Sequence, residues 1–330
     1  MKLILGVDGG GTKSHLALFT DAGACAGAAA AGPLNHECMA GSYSEFEAAL
    51  PAFIDSVLDS ANACIDDVEY AVFGISGTDT AAQHDRASEL LRKIGFRRFT
   101  LCNDAFLGVP AGCPDGAGIC CINGTGSSMA AIDYSGATVQ VAGVGDITAD
   151  LGGGGWYAMQ AISAVYSELY KLGEPTIMRE GLFALAGVTL KEDYVDAIAG
   201  QIADKTLDIR AAACILFDAA EAGDNAALEI LDRSATHYAG GVSYLAGSLD
   251  FPADRTLHIS LVGSVFTKQK VRVLPDMIEC KTRGKLGCRP MEFRNLEAPP
   301  VAGAVLWAAK KAAFDIEMAK IREELTAAGL

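Results

Sequence analysis

Asp8 stands at the end of a short apolar run, and Gly9-Gly10-Gly11-Thr12-Lys13 follows it directly. Glycines let a turn take positive φ and let backbone approach a ligand closely. Consecutive exposed N–H groups form a nest for phosphate oxygens. A carboxylate at the strand end stands where a Mg²⁺ that accompanies phosphates needs a ligand. The flanking segments decide what kind of loop this is. Residues 3–7 read as a buried strand, and residues 14–19 form a second apolar run with β character, closed by a turn at Asp21-Ala22-Gly23. A dinucleotide fingerprint would need a helix after the glycines. A Walker A loop would need Lys before the Thr, whereas Thr12 precedes Lys13, although Gly6 and Gly11 have the right gap. The unit is therefore strand, glycine turn, strand. On this stretch alone, an ordinary tight hairpin with a solvated Asp competes with the phosphate reading.

The layout recurs at residues 118–133. An apolar strand runs into Asn123-Gly124-Thr125-Gly126-Ser127, and another apolar run follows. Two such hairpins imply two similar domains that face each other across a nucleotide. This arrangement resembles the actin, Hsp70 and sugar-kinase superfamily. Within it the chain resembles the N-acetylglucosamine kinase branch, the BadF/BadG/BcrA/BcrD ATPase family, which also includes activators of 2-hydroxyacyl-CoA dehydratases and benzoyl-CoA reductase subunits. The resemblance implies an α/β, two-domain actin-like fold (a duplicated ribonuclease H-like fold) with a helical insertion in the second domain. It also implies a Mg²⁺- and ATP-dependent kinase of an amino sugar, with N-acetylglucosamine giving the 6-phosphate as the leading reaction. Glucosamine or another hexose is the first alternative, and an activator-type ATPase is the second.

Residue by residue, the resemblance assigns Asp8 to Mg²⁺ and Gly9, Gly10, Gly11, Thr12, Lys13, Gly124, Thr125, Gly126 and Ser127 to the phosphates. Asn103-Asp104-Ala105 follows an apolar strand and matches the family's Asn-Asp-Ala motif. Asp104 is thus expected to accept the proton of the sugar 6-hydroxyl, although Asn-Asp after a strand also reads as a helix N-cap. Asn35, in Gly32-Pro33-Leu34-Asn35-His36, looks like the family's sugar-binding Asn; by itself it is a turn residue. His36 varies in the family. Ser76-Gly77-Thr78 resembles a Ser-Gly-Gly stretch near the acetamido pocket, and Val262-Gly263-Ser264-Val265 resembles the adenosine motif. Asp150 resembles the acidic residue of a Gly-Asp-Glu-Gly-Ser motif. Here the chain reads Ala149-Asp150-Leu151-Gly152-Gly153, so a carboxylate and a hydroxyl of the family pattern are missing. Asp146 reads as a solvated loop residue.

The elements that must position these residues are legible in outline. Residues 24–31 suggest a third strand. Ser42 with Glu45 reads as a capping box opening a helix to residue 63. Strands at 69–76 and 99–102 alternate with a helix at 81–94, the pattern of a mostly parallel sheet. A strand at 138–142, a helix at 156–171, a helical stretch over 174–250, a strand at 256–262 and a helix after Lys268 follow. Helices at 301–314 and at the end, to residue 330, complete the chain. Pro110, Gly112, Pro114 and Gly116 suggest a domain boundary. The expected domains are residues 1–112 with 300–330, and residues 113–299.

At 330 residues and 51% hydrophobic, the chain is long enough to bury two cores. A formal net charge of -15 and no basic run argue against sequence-independent nucleic-acid binding. No stretch approaches the roughly 18 apolar residues of a membrane span, and the first apolar run is too short for a signal peptide. A cytoplasmic protein is the expectation, with a small-molecule sugar as its partner; the resemblance leaves room for a homodimer. The ten cysteines include no C-x-x-C, so neither a disulfide scaffold nor a zinc site is expected, and Cys120 and Cys121 read as core.

Overall fold

The opening run Leu3-Ile4-Leu5-Gly6-Val7 is apolar at every position, as a strand buried on both faces requires. In the computed structural model, which describes residues 2–268 and 272–330, that run lies in strand β1 (Leu3–Gly9). It continues through β2 (Ser14–Thr20), β3 (Cys25–Ala31), helix α1 (Ser42–Ser60), β4 (Val68–Ile75), α2 (Ala81–Ile94), β5 (Phe99–Cys102) and α3 (Gly108–Gly112). Next come β6 (Gly118–Asn123), β7 (Ser127–Ile132), β8 (Thr138–Ala142), then α4 (Gly154–Tyr170), α5 (Met178–Ala186), α6 (Tyr194–Ala203), α7 (Ile209–Glu221) and α8 (Asn225–Ser248). The chain ends with β9 (Leu257–Val262), α9 (Ser264–Thr267), α10 (Val273–Leu286), β10 (Met291–Asn295), α11 (Val301–Ala312) and α12 (Met318–Ala327).

The ten strands among the described residues form two five-stranded sheets, ordered β3-β2-β1-β4-β5 and β10-β9-β6-β7-β8. Read from the other edge, the second repeats the first. In each, an antiparallel three-strand meander continues into two parallel strands, β1 to β4 to β5 and β6 to β9 to β10. The expected duplicated two-domain α/β architecture is what the chain forms. The helices α4 to α8 lie between β8 and β9, where the insertion was expected.

Four packed clusters hold these layers. Leu3, Leu5 and Val7 face Phe46, Leu50 and Ile54 of α1, while Ile4 faces Val305 and Ala308 of α11. Ile119, Cys121, Met129 and Ala131 pack against the inserted helices through Tyr157, Leu216, Leu231 and Val242. The fourth cluster joins Cys120, Ala130 and Ile132 to Ala105, Phe106 and Val109, while Leu107 packs with α11. Residues 104–112 are thus a wedge between the two sheets. Pro110 and Gly112 belong to buried α3, and the turn follows them at Cys113–Gly116.

Three local readings differ from expectation. The cap of α1 is Gly41: Ser42 takes φ +49°, and Glu45 reaches back to the Gly41 N–H at 2.8 Å. Strand β10 was not legible, because Met-Glu-Phe-Arg-Asn is short and half polar on an edge. Gly6 serves packing: a Cβ there would come 2.8 Å from the Val305 N of α11. Cys120 and Cys121 are wholly buried, as a core reading requires. The helix expected after Lys268 is seen from Val273; residues 269–271 lie outside the described chain. Among the described residues no helix is long and apolar enough to cross a membrane.

The tightest contact in the wedge lies at Gly303, where a Cβ would fall 3.0 Å from the Ala111 N and onto the Leu107 carbonyl oxygen. Gly303→Ala should therefore cost about 1–3 kcal/mol of stability, read as a lower denaturant midpoint with an unchanged slope.

Candidate functional site

The two hairpin tips meet. The register Gly9↔Ser14 leaves residues 10–13 as the first tip, and Asn123↔Ser127 leaves residues 124–126 as the second. Gly10 N–H closes the first tip on the Lys13 carbonyl at 3.2 Å, and Gly124 N–H closes the second on that of Gly126 at 3.0 Å. The Thr12 and Thr125 hydroxyls lie 2.8 Å apart, across 113 residues of sequence. Thr12, Lys13, Thr125 and Gly126 are exposed, with Gly10, Gly11 and Gly124 half-buried around them. Gly9 and Ser127 sit behind this surface. The Gly9 carbonyl accepts the Ser76 N–H at 2.8 Å, and the Ser127 hydroxyl accepts from the Tyr238 hydroxyl at 2.9 Å.

Two further glycine turns complete the second tip. Asn123 Oδ1 accepts the Gly153 N–H at 2.8 Å, and the Gly124 carbonyl accepts that of Gly154 at 2.8 Å. The N-terminus of α4 is thereby fixed beside the hairpin. Gly153 has φ +88°, and a Cβ on it would lie 2.6 Å from the Thr125 carbonyl oxygen. Gly263, with φ +104°, leaves no room for one either, 2.6 Å from the Asn123 carbonyl carbon. Only glycine fits such positions. Exposed Ser264 follows at the start of α9. The sequence motif groups Gly153 with Asp150; the fold assigns Gly153 and Gly154 to the hairpin.

Asp104 opens a 3-10 turn (Asp104–Leu107) directly after β5. The capping role belongs to Asn103, whose Oδ1 accepts the Ala105 N–H at 2.9 Å. The Asp104 carboxyl meets only backbone N–H groups, those of Ala105 and of Asp104 itself, among the described residues. Burial pushes it up to about 8, and the negative charges of Asp8 and Asp79 act in the same direction. Asp8, half-buried at the end of β1, has His15 Nδ1 3.8 Å from its Oδ2. Among the described residues no group of three or more metal-ligating side chains occurs. A Mg²⁺ held by one carboxylate and by phosphate oxygens needs none, and Asp8 suits that mode.

The sugar candidates divide. Buried Asn35 donates through Nδ2 to the Ser76 hydroxyl at 2.9 Å, joining two loops read separately in the sequence. Its Oδ1 accepts the Glu37 N–H at 2.8 Å in a tight turn, so the turn reading also holds. Gly77, at φ +78°, packs against the same Oδ1. His36 stacks on Tyr43 with centroids 3.9 Å apart, and burial lowers its pKa. It packs the loop. Asp150 Oδ2 accepts the N–H groups of Gly143 and Gly145, each at 2.9 Å. Its Oδ1 is buried and has no hydrogen-bond partner among the described residues. Leu151, where the family has Glu, gives its carbonyl to the Ser234 hydroxyl at 2.6 Å. Asp146 is exposed.

Sequence reading missed Asp79. Its Oδ1 accepts from Asn103 Nδ2 at 2.9 Å and from Gln140 Nε2 of the other sheet at 2.5 Å. Burial pushes its carboxyl up to about 6, opposed by the Gln140 hydrogen bond. Nothing local announces that partner, since 61 residues separate them.

A carboxyl raised in the folded state favours folding while it stays protonated, and that contribution is lost as pH rises through the folded pKa. For Asp104 the loss runs from about 4 upward and is complete above about 8. Asn carries no charge at any pH. The ligand-free Asp104→Asn protein should therefore melt higher than the parent at pH 9, and the gap should shrink toward pH 5, as followed by thermal unfolding.

Comparison with known proteins agrees with this fold. The curated N-acetylmuramic acid/N-acetylglucosamine kinase of Clostridium acetobutylicum is 26% identical over 199 residues, which span 60% of this chain and 64% of that protein, less than two thirds of its length. A structure described as a candidate N-acetylglucosamine kinase from Chromobacterium violaceum is similar with a TM-score of 0.66 at 20% identity, covering 93% of this chain and 98% of that one. The ROK family glucokinase of Streptomyces griseus, solved with glucose and AMPPNP, reaches a TM-score of 0.55 at 17% identity over 93% and 98%. At these identities the two structures show the fold. The sequence pattern of one family matches residues 5–308, and the chain belongs to that family, the BadF/BadG/BcrA/BcrD ATPases.

Proposed function

We propose that this protein is an ATP-dependent kinase of an amino sugar, with N-acetylglucosamine as the leading substrate and its 6-phosphate and ADP as products. The observation that carries the reading is the meeting of the Thr12 and Thr125 hydroxyls at 2.8 Å, since it brings two phosphate-type hairpins onto one another from the two sheets. Backbone N–H groups of Gly11 and Gly126, with Thr12, Lys13 and Thr125, cradle the phosphates, and Gly10 and Gly124 let the tips approach them closely. Asp8 holds Mg²⁺, which supplies positive charge to the phosphates when bound. Gly263 and Ser264 face the adenosine. Gly9 and Ser127 support the tips from behind.

Transfer is in line. The sugar oxygen forms a bond to the γ-phosphorus as the bond to the β-phosphate oxygen breaks, and the hydroxyl proton passes to Asp104. Asn35, Ser76, Gly77 and Asp150 hold the sugar hydroxyls and acetamido group. The domain assignment, residues 1–112 with 300–330 and residues 113–299, agrees with the packing of α11 on β1. Leu151 and Gly153 change the family's sugar motif, which favours a related hexose as the second reading.

Pure protein with Mg²⁺-ATP and a panel of sugars, followed by ADP release and product mass together, tests this. ADP release that needs N-acetylglucosamine and yields its phosphate is expected. Dependence on another sugar moves the substrate and keeps the chemistry. Release indifferent to every sugar overturns the kinase reading in favour of an activator-type ATPase. Asp104→Asn should lower kcat by about 10²–10⁴-fold with folding intact by circular dichroism.

A further inference from the structure

We infer that Asp79 is a positioning residue that ties the turn carrying Asp104, on one side of the cleft, to the loop carrying Asp150, on the other. The inference rests on the kinase reading for the roles of those two residues, but its geometry stands apart from it. Asp79 follows β4 and belongs to the first sheet's side. Its Oδ1 receives two side-chain amides at once. One is Asn103 Nδ2 at 2.9 Å; the same amide group, through Oδ1, caps the turn that begins at Asp104. The other is Gln140 Nε2 at 2.5 Å, from β8 on the outer edge of the second sheet.

The contact reaches further. Gly143, at φ +108°, brings its backbone so close that a Cβ on it would sit 2.8 Å from Asp79 Oδ1. The Gly143 N–H in turn donates to Asp150 Oδ2 at 2.9 Å. One carboxyl therefore sets the Asn103 amide, and with it the start of the Asp104 turn, while bearing on the backbone that orients Asp150. Asp79 is itself anchored from α2: Gln83 Oε1 accepts the Asp79 N–H at 3.0 Å and the Thr80 N–H at 2.9 Å, and Gln83 Nε2 donates to Glu37 at 3.0 Å. Glu37 follows two residues after Asn35, whose Oδ1 accepts its N–H. The three loops assigned to the sugar and the turn carrying the base thus share one hydrogen-bonded frame. A buried acceptor shared by two sheets holds them in register only while both are docked. Closure of the cleft and alignment of the base then become one event, which is how an enzyme avoids spending ATP on water.

The test uses the full-length protein with Asp79→Ala, Asp79→Asn, Gln140→Ala and the Asp79→Ala/Gln140→Ala double variant. Amide hydrogen exchange is read at residues 103–107 and 143–145, and sugar kinetics at saturating ATP. Asp79→Ala should speed exchange in both segments, lower kcat about 30-fold and raise the KM for sugar, leaving the KM for ATP within about threefold. Asp79→Asn keeps an acceptor oxygen and should recover about tenfold of the lost kcat. Gln140→Ala changes an edge-strand side chain, so the fold survives it; it should speed exchange at 143–145, and the double variant should be no slower than Asp79→Ala alone. Additive losses, or faster exchange confined to one segment in Asp79→Ala, overturn the inference. If the parent phosphorylates no sugar, the kinase reading falls, and the exchange result still decides the coupling.

Discussion

The structure depends on how closely two backbones approach at the wedge between the sheets. Helix α11 crosses β1 at Gly6 and meets α3 at Gly303, where a single added carbon would strike the Leu107 carbonyl and the Ala111 N. Interiors are packed to crystal-like density, so such a crossing has one arrangement rather than a range. The wedge from Asp104 to Gly112 presses Leu107 on one sheet and Phe106 and Val109 on the other. The turn carrying the candidate base grows out of the most tightly determined segment of the chain, and its position is inherited from that packing.

Electrostatics at the cleft run against stability. Burial, with the charges of Asp8 and Asp79, lifts Asp104 to about 8, and burial, with the charges of Glu37 and Asp150, lifts Asp79 to about 6. Burying carboxyls without a cation is unfavourable. Among the described residues the compensation at Asp79 is neutral: amides from Asn103 and Gln140, and a backbone N–H of Gly77. A site arranged this way suits a bound cation. Around it, neutral hydroxyl and amide networks do the holding, with Tyr157 joining Asn123 to Ser234 and Tyr238 joining Ser127 to the Ile122 carbonyl.

Much of this was legible in the chain. The hairpins were readable because glycines interrupt mostly apolar strands, and Asp104 because it follows such a strand. The substrate loops were less so. Asn35 looks like any turn Asn until Ser76 is seen to receive its amide at 2.9 Å. His36 was ambiguous until its ring was found stacked on Tyr43. The capping residue of α1 slipped by one because Ser42 occupies a left-handed conformation that no local pattern signals. Strand β10 was invisible because an edge strand need bury only one face, and five half-polar residues carry too weak a period.

By itself the sequence determined the strand–turn–strand units, their duplication, the order of elements and the residue types able to handle phosphate and a proton. These are local properties, set by hydrophobic period and turn chemistry within a dozen residues. The tertiary structure alone decided which of them meet. That Thr12 touches Thr125, that Gly153 and Gly154 serve the second hairpin, and that Asp79 receives an amide from Gln140 each depend on two sheets docking through a shared wedge. Contacts across such separations leave no mark on either segment, because each donor or acceptor is equally at home in water until the packing of the sheets removes the water and leaves it one partner.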